Sequence, residues 1–292
     1  MIYGQAIVDG ILTGGVYALM AAGLTLTFGV MQVINVAQGV LVVLGAYLSY
    51  ELAQHGGIDP FVGLLITVPA LFVLGVVIEV VLIRRLRHLS VFNFVVMAIL
   101  ATYAVSLITE GALDLAFGSG LVEIQASYVN NSFVWFGMHL PEIYVYGFLL
   151  AAGLLGALSL LLYRTRFGRS VRAAEQNRTS AMLVGIPVQR VSTIVFGIGV
   201  AVTAAGGMVF GATNAFNGSS GADLISRLLT IVILGGLGSM GGALAGAIAL
   251  LVVENVVAVA WSPEWAPLVF SVVLVGVLLI RPNGLLGRAV AS

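Results

Sequence analysis

The chain has 292 residues, 60% of them hydrophobic and only 8% charged, with formal charges that cancel. A soluble domain is about half apolar and about a quarter charged, and a membrane β-barrel shows alternating strands of about 10 residues instead of continuous apolar runs, so both are excluded. The absence of cysteine removes disulfides and thiolate metal sites, and what remains is an all-α polytopic membrane protein, read as one transmembrane domain over 1–292.

Apolar runs fall at about 5–29, 36–53, 61–83, 91–112, 142–163, 191–213, 224–238, 241–260 and 266–281, most of them near the ~20 residues that span a bilayer. The first is preceded by no basic region and contains Asp9, so it is expected to stay as a membrane helix instead of being cleaved as a signal peptide. All twelve basic residues are arginines, concentrated at 84–88, 164–190 and 281–288. Short arginine-rich loops are retained on the cytoplasmic side, which places these three segments inside. The 113–141 loop, with Asp114 and Glu123 and no Arg or Lys, suits the outer face. Nine crossings with an outer N-terminus satisfy this charge rule and eight do not, within a range of about 8–10. Segment 224–238 is short, and a re-entrant half-helix is its alternative.

Two places break the helical pattern. In Phe28–Gly39 three amides, Gln32, Asn35 and Gln38, interrupt an apolar hairpin. In Gly235-Gly236-Leu237-Gly238-Ser239-Met240-Gly241-Gly242 the glycines do so. Each is followed by an apolar helix rich in small residues. Unwound backbone at membrane depth persists where it lines a cavity or is buried in protein, and such breaks in two halves point to a transport pathway. Asn35, Gln38, Gly39, Gly235, Gly236, Gly238, Ser239 and Gly241 are therefore candidate pathway residues. The plainer reading is that small residues spaced like Gly242 and Gly246 let helices approach closely.

Catalytic chemistry finds little support. His55, His88 and His139 fall in separate loops without metal-ligand spacing. Gly218-Ser219-Ser220-Gly221 matches a nucleophile pattern, but no membrane segment holds a histidine base, and a flexible turn explains it. Carboxylates inside apolar runs are costly, at least ~2.5–3.5 kcal/mol at a helix centre. Glu79 is close enough to Arg84 to pair with the basic cluster, and Glu110 lies at an outer end. Glu254, beside Asn255, is the most interior. It joins the pathway candidates, and with Asp9 it is the group a gradient-driven carrier would use.

Between Arg164 and Arg190 lie six arginines and a single acid, Glu175. Ser170 to Gly185 reads as one short helix, capped by Ser170 and ended by Gly185 and Pro187. Val171, Ala174, Ala181 and Met182, with Leu183 nearby, form its apolar stripe. A basic amphipathic helix lies on anionic lipid, stays solvated, or docks in a partner's groove.

The residues themselves narrow this choice. Gly168-Arg169-Ser170-Val171-Arg172-Ala173-Ala174, then Asn177, Ala181, Gly185 and Ile186, resemble the coupling-loop motif of ABC-importer permeases, and more narrowly that of the branched-chain amino acid permease family. GLTLTFGVMQVINVAQGVLVVLGAY at 23–47 resembles that family's first hairpin, ILGGLGSMGGALAGA at 233–247 its late glycine turn, and RPNGLLG at 281–287 its usual ending. One departure is Gln38, at a position that is often histidine or another basic-capable residue. The resemblance implies a permease subunit in a prokaryotic cytoplasmic membrane, paired with a second similar permease, two cytoplasmic ATPases and an external solute-binding protein. ATP and magnesium would be used by those partners: this chain has no GxxxxGK[ST] phosphate loop and no lysine. Neither a cofactor of its own nor nucleic acid is expected. The solutes implied are branched-chain amino acids, with urea and short amides carried by similar permeases.

Overall fold

The computed structural model describes residues 2–126, 128–129, 131–135, 138–280 and 284. The apolar runs become helices nearly one for one. They are α1 (Ile2–Met31), α2 (Gln38–Gln54), α3 (Pro60–Ile78), a π-helical turn (Glu79–Ile83) leading into the short α4 (Arg84–Leu86), and α5 (Val91–Phe117). A two-stranded hairpin, β1 (Ser132–Trp135) and β2 (Met138–Pro141), precedes α6 (Glu142–Arg164). Then come α7 (Arg166–Gln176), α8 (Arg178–Leu183), α9 (Val188–Thr213), α10 (Ser220–Gly235), α11 (Met240–Ala260) and α12 (Ala266–Ile280). The arginine tail and most of the 281–287 motif lie outside the described residues.

Six of these helical stretches are long and apolar enough to cross a membrane; α2, α10 and α12, with 17, 16 and 15 residues, are shorter. At 1.5 Å per residue, the 30 residues of α1 extend about 45 Å, well beyond the ~30 Å hydrocarbon thickness. α1 and α9 form the centre, with 72% and 78% of their most apolar windows buried, whereas α5 buries 11%. α5 instead turns Leu100, Tyr103, Leu107 and Ile108 outward, a surface suited to lipid.

Glycine sets the packing distance at the centre. A Cβ at Gly10 would lie 2.6 Å from the Val252 Cα, and one at Gly14 2.8 Å from the Ile248 Cα, so α1 and α11 run antiparallel with their backbones nearly touching. Gly235 meets Gly242 in the same way where α10 turns into α11, and Gly45 lies against Ala204 where α2 runs beside α9. Apolar side chains gain nothing by leaving lipid for a protein interior, so close contact between small residues supplies the attraction.

The molecule has two distinct ends. At one, α7 sits against the end of α1, where Glu175 faces Gly29, and against Gly238 of the late glycine turn. At the other, the β hairpin meets the start of α1, where Gln5 Nε2 donates to the His139 carbonyl at 2.9 Å.

Candidate functional site

The arginine-rich loop folds as two helices where the sequence suggests one. Thr165, not Ser170, caps α7, its hydroxyl accepting the Gly168 N–H at 3.0 Å. Asn177 is extended (φ −154°, ψ 107°), which ends α7, and its Oδ1 accepts the Ser180 N–H at 2.9 Å, which starts α8. An amide that bonds its own backbone ahead competes with a continuing helix. The end of α8 is a Schellman turn: Ile186 N–H reaches the Ala181 carbonyl and Gly185 N–H the Met182 carbonyl, each at 3.0 Å, with Gly185 at φ +84°.

The apolar stripe divides with the helix. Val171, Ala174 and Ala181 turn inward and are buried, and Gly168 fits under the last carbonyls of α6. Met182, Leu183 and Val184 point the other way and are 53%, 83% and 76% exposed. Arg164, Arg166, Arg169 and Arg190 are also exposed, while the Arg172 guanidinium lies 5.2 Å over the Tyr163 ring. Burial lowers the Arg178 pKa from its usual value, opposed by the nearby Glu79 carboxylate.

Glu79 itself is fully buried in the π-helical turn. It accepts from Arg87 Nη2 at 3.0 Å and from the Thr193 hydroxyl at 2.5 Å. The pairing with the basic cluster is therefore present, and it also ties the end of α3 to α9.

Beneath α7 lies a cavity of about 840 Å³. Arg169, Arg172, Ala173 and Glu175 form one wall, and Phe28, Gly29 and Gln32 at the end of α1 form another. Gly238, Ser239 and Gly241 close it. The loop and the glycine turn, far apart in sequence, thus share one chamber. Gly236 and Gly238 take φ values of +98° and +82°, which lets the chain reverse there, and Gly235 is packed on Gly242.

Asn35, Gln38 and Gly39 are placed differently. Asn35 and Gln38 are 2% and 0% exposed and lie on neither cavity wall described here. Asn35 Nδ2 donates to Gln38 Oε1 at 2.9 Å, and Gln38 Nε2 donates to the Gly199 carbonyl at 3.3 Å and to the Thr203 hydroxyl. A Cβ on Gly39 would overlap the Gly221 carbonyl. These residues close the break between α1 and α2 by satisfying its polar groups within the protein.

Glu254 lines a second cavity of about 200 Å³, between α1, α6, α9, α10 and α11. Its partner is Arg227, a residue the sequence reading passed over. Arg227 Nη1 donates to Glu254 Oε1 at 2.9 Å and Nε to Asp223 Oδ2 at 3.0 Å, and the guanidinium lies 4.8 Å from the Phe270 ring centroid. The signal was available: Arg227 stands apart from the three arginine clusters, inside an apolar run and four residues after Asp223. Gly218–Gly221 is a hydrogen-bonded turn opening α10, with Asn217 Oδ1 accepting from the Ser219 and Ser220 hydroxyls at 2.8 and 3.1 Å. Among the described residues no group of three or more His, Asp or Glu side chains is placed to hold a metal.

Long apolar helices, glycine seams and charges confined to the ends and to paired sites define a multi-pass α-helical membrane protein. The chain belongs to the family of the branched-chain amino acid transport system permease component, whose family model matches residues 6–278. The high-affinity branched-chain amino acid transport system permease protein LivH of Salmonella typhimurium is 30% identical over 300 residues, 97% of this chain and 95% of that one. BraD of Pseudomonas aeruginosa, a permease protein of the same description, is 29% identical over 98% of this chain and 96% of its own length. A probable LivH of Methanocaldococcus jannaschii is 29% identical over 97% and 92%. A looser structural likeness, with a TM-score of 0.49 and 11% identity over 94% of this chain and 91% of the other, is to PsaBC from Streptococcus pneumoniae in complex with Fab.

Proposed function

We propose that this chain is the membrane permease subunit of an ATP-driven importer for branched-chain or related small aliphatic amino acids. It sits in a prokaryotic cytoplasmic membrane, crosses it nine times, and keeps α7 and α8 in the cytosol. Two ATPase subunits bind there, a second homologous permease completes the pathway, and an external binding protein delivers the solute. The chain itself binds no cofactor; its partners use ATP and magnesium. Family membership and relatives of matching length support the solute class.

The observation that carries the coupling role is α8. A six-residue helix is too short to be stable alone, yet this one is capped at both ends and presents Met182, Leu183 and Val184 to the outside. An exposed apolar tip in a segment rich in exposed arginines fits a groove with an apolar floor and an acidic rim. Burying three such side chains is worth roughly 1.5–3 kcal/mol each before the costs of docking. A helix lying on lipid would continue that stripe along α7, whereas here α7 turns its own apolar face into the bundle.

A gradient-driven carrier is the second reading. It needs a membrane carboxylate free to exchange a proton, and Glu254 is engaged by Arg227, which favours the first. Permeation of urea or short amides differs from the favoured reading only in solute. The test exploits the absence of cysteine. Leu183→Cys should crosslink to an ATPase subunit, and Leu183→Asp should stop ATP-driven uptake without unfolding the bundle. Normal uptake by Leu183→Asp, or gradient-driven uptake without any ATPase, refutes the proposal.

A further inference from the structure

We propose that the Arg227–Glu254 pair and the cavity beside it form a docking site for the two charged ends of an aliphatic amino acid. This rests on the reading of the chain as an amino-acid permease and adds a place within it.

Three observations support the site. First, the pair is not closed. Arg227 spends Nε on Asp223 and Nη1 on Glu254 Oε1, which leaves Arg227 Nη2 and Glu254 Oε2 without a hydrogen bond to any described residue. Both side chains keep some accessibility, so a ligand's charged ends can reach these two atoms without breaking the pair. Second, the space beside it is open. About 200 Å³, at about 30 Å³ of liquid volume per water, is room for several waters or one small amino acid. That is below the volume of drug-sized ligand pockets and suits a ligand no larger than one amino acid.

Third, the lining carries both chemistries that an aliphatic amino acid needs. Val16, Val209 and Leu251 are apolar members of it, and Tyr17 and Tyr144 add phenol groups. With both acids ionised, Asp223 and Glu254 outnumber Arg227, so the site is net negative and favours an ammonium, while the free Nη2 fixes the carboxylate. Thus the α-carboxylate takes Arg227, the α-ammonium takes Glu254, and the branched side chain lies against the valines and leucine. Urea or a short amide has neither full charge, so it gains neither of the two charge-assisted bonds that an amino acid makes there.

Tyr144 stands at the start of α6, which puts the cavity toward the hairpin end, opposite the arginine-rich chamber. The two cavities then lie toward opposite ends of the chain. On the proposed topology this one faces the side where solute arrives.

The experiment uses the full chain in lipid nanodiscs with radiolabelled L-leucine, competed by 4-methylpentanoate, which lacks the ammonium, and by isoamylamine, which lacks the carboxylate. Saturable leucine binding is expected, with each half-charged competitor at least tenfold weaker. Ala258→Phe, which adds bulk at the cavity wall and leaves the ion pair in place, should abolish binding without lowering the melting temperature. Arg227→Lys should weaken it less than Arg227→Gln. No saturable binding, 4-methylpentanoate competing as well as leucine, or unchanged binding by Ala258→Phe overturns the site. Uptake by the assembled importer separates the two levels. If Ala258→Phe transports leucine with an unaltered KM, the site falls and the importer stands; if the wild-type importer moves no amino acid, the functional reading itself falls.

Discussion

Replacing Gly185 by alanine isolates the conformational term that holds the turn after α8. Gly185 takes φ +84°, and nothing lies within 4 Å of a Cβ built there, so the added methyl meets no neighbour. What remains is the penalty of the left-handed conformation for an L-residue, roughly 1–2 kcal/mol. At about 1.4 kcal/mol per tenfold, the local opening equilibrium shifts by about 5- to 30-fold. The amides that report it are those of Gly185 and Ile186, which close the turn on Met182 and Ala181. Hydrogen exchange of peptides spanning 181–188 should quicken by that factor in Gly185→Ala and by less in Gly185→Asn, since asparagine tolerates this region better. The melting temperature should barely move, because α8 can fray without opening the bundle. Gly185→Trp carries the same backbone penalty, so any further loss of ATP-driven uptake measures bulk at the docking face. Equal protection in the alanine and wild-type chains would refute the assignment of the turn as what fixes α8.

Other perturbations test the packing. Gly14→Ala places a methyl 2.8 Å from the Ile248 Cα and should destabilise by about 1–3 kcal/mol. Gly156→Ala, with open space around it, should instead be neutral or stabilise by roughly 0.5–1 kcal/mol, and denaturation in detergent compares the two directly. Gln38→Leu removes the acceptor of Asn35 Nδ2 and strands a buried donor, at about 1–3 kcal/mol; Gln38→Glu keeps an acceptor there and separates that loss from the loss of the amide donor. Breaking the ion pair by Arg227→Leu leaves the Glu254 carboxylate at the cavity without its cation and should cost about 3–5 kcal/mol, whereas the joint change with Glu254→Leu should cost less than the single one. A double-mutant cycle on melting free energies decides it.

Helix positions were legible because apolar length is a one-dimensional property. The run at 142–163 returns as Glu142–Arg164 and that at 241–260 as Met240–Ala260. The split of the coupling loop was less legible, since Asn177 stops α7 through a local bond that propensity does not register, while Ala173, Ala174 and Ala181 on either side all favour helix. The amides at 35 and 38 were legible as a break but not as a closed one: Asn35 bonds Gln38, and the partners of Gln38, Gly199 and Thr203, lie more than 150 residues away. Arg227 shows the opposite failure. Its sequence position was conspicuous, but attention to Glu254 alone hid that a buried carboxylate calls for a cation on a neighbouring helix.

The two glycine systems have different mechanical consequences. Where Gly10 and Gly14 meet Val252 and Ile248, backbone touches backbone and no side chain is left to deform, so α1 and α11 move as one body. At Gly236 and Gly238 the glycines serve positive φ, and the chain between α10 and α11 can change direction there. Glu175 of α7 lies against both Gly29 of α1 and Gly238 of the turn. On the proposed reading, a push received at Leu183 therefore reaches the closely packed α1–α11 pair and the glycine turn at the same point. It also reaches α9 by the short route through Pro187, and α3 through Thr193 and Glu79. Because Gly235 is packed on Gly242, α10 follows α11 on that reading, and a displacement of α8 tilts the three helices together.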